Sequence, residues 1–146
     1  MNANELRIGN IVTINNHQSH LVMQGVPVAV KGITHKAGLN NFMTYSIYLE
    51  LLDKELNKYY QAYNQYIEFI EPIQLTEEWL VRLGFKEKDR IYKNDRIEIN
   101  IGNHGTVHII GSNGGYSIPY QHGKHSIHWL QNLYFSLTSK ELTINN

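Results

Sequence analysis

Cysteine is absent from the 146-residue sequence, and proline occurs only three times. The lack of cysteine excludes disulfide scaffolds, thiolate zinc sites and cysteine nucleophiles. Charged side chains make up only 18% of the residues, and 13 basic side chains balance 13 acidic ones. This balance gives no sign of binding to nucleic acid or to an anionic membrane through overall charge.

Long hydrophobic runs are also missing. No segment approaches the roughly 20 apolar residues that a membrane helix needs. The N-terminal sequence MNANELRIGN has no apolar stretch of the kind found in a signal peptide. We therefore expect a soluble cytoplasmic protein without a membrane partner.

Ten tyrosines and eight histidines stand out against this low charge. A tyrosine ring covers a large contact area at little entropic cost, so exposed tyrosines are typical of a binding surface. Alternatively, the tyrosines fill a small β core and place their hydroxyls at its edge. The sequence leaves both interpretations open.

The clearest local signal is the stretch 67–85, IEFIEPIQLTEEWLVRLGF. Pro72 restricts the residue before it to an extended conformation, which prevents an earlier helix start. Thr76 is a good N-cap, and Gly84 suits the left-handed residue that follows a helix. We predict a short amphipathic helix between them.

Short β-prone runs precede this helix. Residues 11–14 form one run, residues 21–24 can return as its partner, and residues 25–33 alternate valines on one side. Pro27 in the third run predicts an edge strand or a bulge. Glycine, asparagine and proline between the runs predict a small, bent antiparallel sheet in the form of a partial barrel.

Residues 48–63 carry apolar side chains three or four positions apart, which predicts a helix. Glu50 and Lys54 would form a favourable i,i+4 pair on it. The alternative is a strand over residues 44–51, because apolar residues also alternate there.

After the central helix, polar and apolar residues alternate strictly in RIEINI, residues 96–101. Asn94 and Asp95 tolerate the left-handed region and suit a two-residue hairpin turn. Glycine-rich turns separate the strands that follow. The pattern predicts a four-stranded antiparallel meander with strands at 90–93, 96–101, 106–110 and 116–120.

The last predicted helix runs from near Ser126 to about Leu137. Thr138 and Glu141 would form a capping box for one further turn. The predicted buried stripe comprises Ile127, Leu130, Tyr134 and Leu137, with Leu133 beside it.

Together these elements predict an α+β fold in which two short helices pack on antiparallel sheet. We expect two parts that share one core. Residues 1–66 form a β-rich unit with a helix, and residues 67–146 contain the central helix, the meander and the C-terminal helix.

Three stretches, ELRIGN, PIQLTEEWLVRLGF and LQNLYFSLTSKEL, make the chain similar to short, uncharacterised accessory proteins of phages and prophage-like elements of gut bacteria. The matching residues are capping, packing and turn residues without a recognised catalytic set. The resemblance implies a small accessory protein of a mobile element, acting in the cytoplasm of its bacterial host. Proteins in that setting bind and disable a host component, or take part in phage replication or assembly.

The turns at 102–105 and 111–115 offer backbone amides that can cradle a phosphate, although the P-loop pattern is missing. As hairpin turns they need no ligand to explain them. We expect both turns to lie at one end of the meander, where they would form a mouth for a nucleotide-like small ligand. The predicted ligand-binding residues are His104, Asn113, Tyr116, Tyr120, His122, Lys124 and His125.

A metal site is the alternative role for the histidines. His122, His125 and His128 are spaced by three, as in some metal sites. Glu98 is the nearest plausible carboxylate, and Gly123 interrupts any helix through the series. We predict polar histidines with no metal and no cofactor, and keep a metal-dependent hydrolase as an alternative.

Two further functions find little support in the sequence. Ser112 and Ser126 lie near histidines, but no GxSxG elbow exists, so we predict no catalytic residues and no enzyme. Tyr92, flanked by basic residues, could stack a nucleic-acid base. The neutral charge balance argues against nucleic acid as a partner.

The leading hypothesis is a phage or mobile-element accessory protein that inhibits a host defence component. It would sequester a nucleotide-like ligand or occupy a host protein, and it would form a homo-oligomer through its short edge strands. A nucleic-acid-binding, virion or replication accessory protein is the alternative.

Overall fold

The computed structural model describes residues 3–15, 25–37, 43–53, 63–100, 106–110, 115–119 and 125–145. The chain divides into two compact units, Met1–Ile73 and Gln74–Asn146. Each unit contains one antiparallel sheet. A core shared by the two parts of the chain stays a prediction.

The first unit contains strands β1 (Ile11–Ile14), β2 (Val28–Ala37), β3 (Met43–Leu51), β4 (Tyr63–Tyr66) and β5 (Ile70–Pro72). The second contains helix α1 (Glu77–Arg82), strands β6 (Lys86–Lys88), β7 (Ile91–Lys93), β8 (Ile97–Asn100), β9 (Thr106–Ile109) and β10 (Tyr116–Pro119), and helix α2 (Ile127–Thr138). The strand orders are β4-β3-β2-β1-β5 and β10-β9-β8-β7-β6. Short 3₁₀ turns occupy Ala3–Glu5 and Ile67–Phe69.

The predicted helix over residues 48–63 is wrong where the structure describes it. Residues 48–51 belong to β3 and Tyr63 begins β4, while residues 54–62 lie outside the described part. The alternative, a strand over 44–51, is confirmed. Ile47, Leu49 and Leu51 are all buried, and a two-residue repeat puts them on one face of a strand.

The edge position predicted for residues 25–33 is also wrong, because β2 lies between β1 and β3. Pro27 stands before the first residue of β2, where its missing amide removes no hydrogen bond from the sheet. Residues 21–24, predicted to form the partner strand, lie outside the described residues. β1 pairs with β2 on one side and with β5 on the other.

A bulge does occur in β2, between Val30 and Gly32. Lys31 is the additional residue, and its Nζ lies 2.6 Å from Glu50 Oε2 on β3. Glu50 therefore pairs across the sheet from a strand position, not along a helix. The first core lies against this sheet and comprises Leu6, Val12, Ile14, Val28, Val30, Ile47, Leu49, Leu51 and Ile70.

Helix α1 begins and ends as its sequence predicts. Thr76 Oγ1 accepts a hydrogen bond from Trp79 N at 3.4 Å. At the other end, the amides of Gly84 and Phe85 donate to the carbonyls of Val81 and Leu80. This pair of bonds is the Schellman motif, and Gly84 takes the left-handed conformation that the motif needs, with φ of +83°.

The second sheet contains the four predicted strands and an additional one, β6, at its start. A two-residue turn of the left-handed kind lies before β7. Asp89 and Arg90 have φ of +55° and +64°, the pattern of a type I′ turn, and Glu87 Oε1 accepts from Arg90 N at 3.0 Å. After β7, Asn94 N donates to Ile97 O at 3.0 Å, so that turn is centred on Asp95 and Arg96 and not on the predicted Asn94 and Asp95. Asn94 does not have a left-handed φ. Its Oδ1 instead accepts hydrogen bonds from the amides of Arg96 and Ile97 in the turn that follows.

Helix α2 starts where it was predicted to start, near Ser126. Ser126 is its N-cap, and its Oγ accepts from Trp129 N at 3.3 Å. Its buried face is more polar than predicted: His128 and Gln131 are buried, whereas Leu137 is 38% exposed. The predicted further turn is absent, because Ser139 is left-handed with φ of +56° and residues 141–145 are not helical. Gln131 Nε2 instead donates to the carbonyl of Leu142.

The α+β class is therefore confirmed, with two antiparallel sheets and two short helices. The first sheet is not a closed barrel, since β4 and β5 are its edges. Among the described residues, no helix has the length and apolar character that crossing a membrane requires.

Candidate functional site

Two of the seven predicted ligand-binding residues, Tyr116 and His125, lie in the described part of the chain. Tyr116 is the first residue of β10, and His125 directly precedes the cap of α2. The other five, namely His104, Asn113, Tyr120, His122 and Lys124, lie outside the described residues.

The strand register contradicts the idea that the two glycine-rich turns share one end of the meander. Asn100 of β8 pairs with Thr106 at one end of β9, and Tyr116 of β10 pairs with Ile109 at its other end. Residues 101–105 and 111–114 themselves lie outside the described residues. Successive turns of a meander alternate between the two ends, which the sequence analysis did not take into account.

His125 is built into the second unit by three contacts. Its ring lies on Trp129 with centroids 4.1 Å apart, and its Nε2 donates to the carbonyl of Pro119 at 3.4 Å. Its own carbonyl accepts from Leu75 N at 3.0 Å. Tyr116 and Pro119 are the two ends of β10, so the structure does not bring the Tyr116 and His125 sites together.

The histidines do not form a metal site in the part that the structure describes. His128 is buried, and its Nδ1 lies 2.8 Å from Ser126 Oγ. Because that oxygen accepts from Trp129 N, its proton is available to the imidazole. No group of three or more potential ligands is found among the described residues. Burial of both members of the Ser126–His128 pair keeps a substrate away from it.

Base stacking on Tyr92 is excluded by burial, since this side chain is only 5% exposed. Its hydroxyl donates to Glu77 Oε2 on α1 at 2.9 Å. Burial raises the pKa of Tyr92 to about 12, and the hydrogen bond to Glu77 adds to the rise. The hydrogen bond from Tyr92 to Glu77 therefore joins β7 to helix α1.

One exposed edge of the second sheet is strand β10. All four residues of β10 are exposed, and none is charged. Tyr116 is 78% exposed and Ile118 is 36% exposed. Alternation along the strand places both on the same face as buried Ile99 and Val107.

The opposite face carries a polar row that crosses the whole sheet. The register aligns Ser117, His108, Glu98, Lys93 and Lys86, one from each strand. Ser117 Oγ lies 2.9 Å from His108 Nδ1, and Lys93 Nζ lies 3.5 Å from Glu98 Oε2. These two contacts join β10 to β9 and β8 to β7.

Gly115 holds the start of β10 close to this row. A Cβ at this position would collide with the His108 ring and with the carbonyl oxygen of Ile109. Glycine is therefore required for the backbone to approach the imidazole. The geometry of the β10 edge depends on it.

Comparison with protein-family models, with curated proteins and with solved structures found no match.

Sequence reasoning identified Tyr116 but missed the reason that it stands out. The relevant signal is the absence of charge across YSIP, set against KEK in β6 at the other edge. The polar row was missed because β6 has no apolar alternation to mark it as a strand. A prediction that lacks β6 cannot place Lys86 opposite Lys93 in the sheet.

Proposed function

We propose that the chain is a non-enzymatic accessory protein of a phage or mobile element, which inhibits a host defence component by occupying a host protein. The observation that carries the proposal is the β10 edge, four exposed residues without a charge. An uncharged edge strand can accept another strand through its unpaired backbone groups. Pro119 contributes none to such pairing, because it has no amide hydrogen and its carbonyl accepts from His125 Nε2. The partner is an extended segment with apolar side chains.

Two features of the edge favour a partner over solvent. Tyr116 is almost fully exposed, although a tyrosine ring gains free energy when it is covered. It continues a row of side chains that includes Ile97 and Ile109, so an added strand would extend the existing apolar face. Cross-strand aromatic and β-branched pairs stabilise such additions.

The test is native mass spectrometry of the protein after incubation with lysate of a bacterial host. The wild type is expected to gain the mass of one host protein, and Tyr116→Lys is expected to lose it. Val81→Lys is the matched control, because Val81 is an apolar residue on α1 that is 56% exposed. Both changes are at exposed positions, so each should alter the free energy of unfolding by no more than about 0.5 kcal/mol.

The two variants separate specific from non-specific capture. Loss of the added mass in both would show that any new lysine prevents binding, and it would overturn the assignment to β10. Retention in Tyr116→Lys would do the same. A mass equal to a second copy of the chain would identify a homo-oligomer in place of a host partner.

A further inference from the structure

We infer that the second unit binds a small phosphate ester in a cleft next to the charged edge of its sheet. The cleft has a volume of about 420 Å³ and is lined by Gly84, Lys86, Lys93, Asn94 and Asp95. This size falls within the range of small-ligand pockets. The inference does not depend on the β10 edge.

The first observation is an amide donor with nothing to bind. Asn94 Nδ2 is buried and has no hydrogen-bond partner among the described residues. A buried donor without an acceptor is destabilising, so such atoms are uncommon. An acceptor atom of a ligand in the cleft would satisfy it.

The orientation of this amide is set by its surroundings. Asn94 Oδ1 accepts from the backbone amides of Arg96 at 2.9 Å and Ile97 at 2.7 Å. Exchanging the oxygen and nitrogen would place a donor against both amides, so the flipped form is excluded. The atom without a partner is therefore the amide nitrogen, on a residue that lines the cleft.

The second observation is a pair of like charges. Lys86 and Lys93 lie directly opposite each other on β6 and β7, an arrangement that destabilises a sheet. Lys93 has an ion pair with Glu98, but at 3.5 Å it is long, and both side chains are partly exposed. An oxyanion between the two ammonium groups would remove the repulsion.

These donors define the ligand class. Two ammonium groups and one amide favour an anion with several oxygens, and lysine binds phosphate as a point charge. A bare phosphate would leave most of the cleft unfilled. Asp95 also lines the cleft, and its Oδ1 accepts from the Tyr134 hydroxyl at 3.1 Å. Its Oδ2 would repel a second anion but accept a hydrogen bond from a ligand hydroxyl. A phosphate ester of a hydroxylated compound satisfies each group.

Ribose 5-phosphate is the probe, with ribose and inorganic phosphate for comparison. Isothermal titration calorimetry measures affinity, and the side-chain amide signal of Asn94 in ¹H–¹⁵N spectra reports the location. We expect ribose 5-phosphate to bind and to shift that signal, and ribose to do neither. Equal affinities for inorganic phosphate and the ester would overturn the assignment of an ester.

Three substitutions test the donors. Lys86→Gln removes one charge, and Asn94→Asp keeps the acceptor for the two backbone amides while replacing the donor with an oxygen. Each should weaken binding about tenfold or more. Glu98→Gln releases Lys93 and should strengthen binding about two- to fivefold.

Lys88→Gln is the matched control, since it removes the same charge from the same strand outside the cleft lining. It should change affinity less than twofold. Equal weakening by Lys88→Gln and Lys86→Gln would overturn the site, as would the absence of heat and of any Asn94 shift in the wild type. Tyr116→Lys should bind ribose 5-phosphate normally, which separates this test from that of the β10 edge.

Discussion

The two edge strands of the second sheet, β6 and β10, differ in charge although both belong to the same sheet. β6 presents Lys86, Glu87 and Lys88, all exposed and all charged. β10 presents four exposed residues without a charge, including a tyrosine. Charged side chains on an edge discourage the addition of another strand, and their absence permits it.

We propose that this difference reflects a division of roles within one small sheet. The charged edge lies beside the lysine-lined cleft, and its charges discourage the addition of a strand. The uncharged edge is the one that we propose accepts a strand of another protein. Each prediction below alters one side of this comparison and leaves the other unchanged.

The largest expected effect on the free energy of unfolding comes from substituting Gly115, which directly precedes β10. Gly115→Ala would push its methyl group into the His108 ring, which displaces the contact between His108 and Ser117. Overpacking of this kind destabilises a protein by about 1–3 kcal/mol. Urea denaturation measures the free energy of unfolding.

Gly32→Ala is the control for this change. It also adds a methyl group to a strand glycine, but the new Cβ would meet only Tyr48 Cβ at 3.5 Å, an ordinary contact. We expect less than about 1 kcal/mol of change, because no atom must move. An equal loss of stability in both variants would contradict the role assigned to Gly115.

A smaller effect is expected beside the charged edge, where Tyr92 joins β7 to α1. Tyr92→Phe removes the hydrogen bond to Glu77 and should cost about 0.5–1.5 kcal/mol at neutral pH. The pKa of Tyr92 is raised to about 12 in the folded protein, so the fold favours the protonated hydroxyl. Its contribution is present below the unfolded value of about 10 and is lost as pH rises through 12.

Urea denaturation between pH 8 and pH 11.5 should therefore show a fall in stability above pH 10 that is shallower in Tyr92→Phe. Tyr116→Phe, which removes an exposed hydroxyl from the other edge, should fall as steeply as the wild type. Parallel curves for Tyr92→Phe and the wild type would contradict the raised pKa of Tyr92, which burial causes first and the Glu77 contact second. Equal free energies of unfolding at neutral pH would show that the Glu77 hydrogen bond adds nothing.

The smallest effect is expected at the turn between β6 and β7. Arg90 is left-handed, which costs about 1–2 kcal/mol for a residue other than glycine. Arg90→Gly should raise the free energy of unfolding by about 0.5–1 kcal/mol, because glycine also loses more entropy on folding. Thermal denaturation measures the gain. Arg96→Gly is the control, because its turn has no left-handed residues, and it should not raise the free energy of unfolding.

Structural elements that depend on contacts within a few residues could be predicted from the sequence. Thr76, Gly84 and Ser126 cap their helices through contacts within a few residues. The first two caps were predicted, as was the start of α2 near Ser126. The same applies to the alternation in β8. The three stretches on which the expected resemblance was based are made of such residues, so they predict local structure and give no chemistry.

Features that depend on distant partners were not predictable. The helix and strand patterns over residues 48–51 could be separated only by the neighbouring strands of the first sheet. The cleft needs β6 beside β7, and a strand of three charged residues has no apolar repeat to mark it. The opposite placement of the two glycine-rich turns follows from the register of β9.

The measurement that tests the central claim most directly is amide hydrogen exchange of β6 and β10 with and without the captured host protein. A strand that adds to the sheet hydrogen-bonds to edge amides and slows their exchange. We predict slower exchange at Tyr116, Ser117 or Ile118 and no change at the β6 edge. Slower exchange at β6, or at neither edge, would contradict the account.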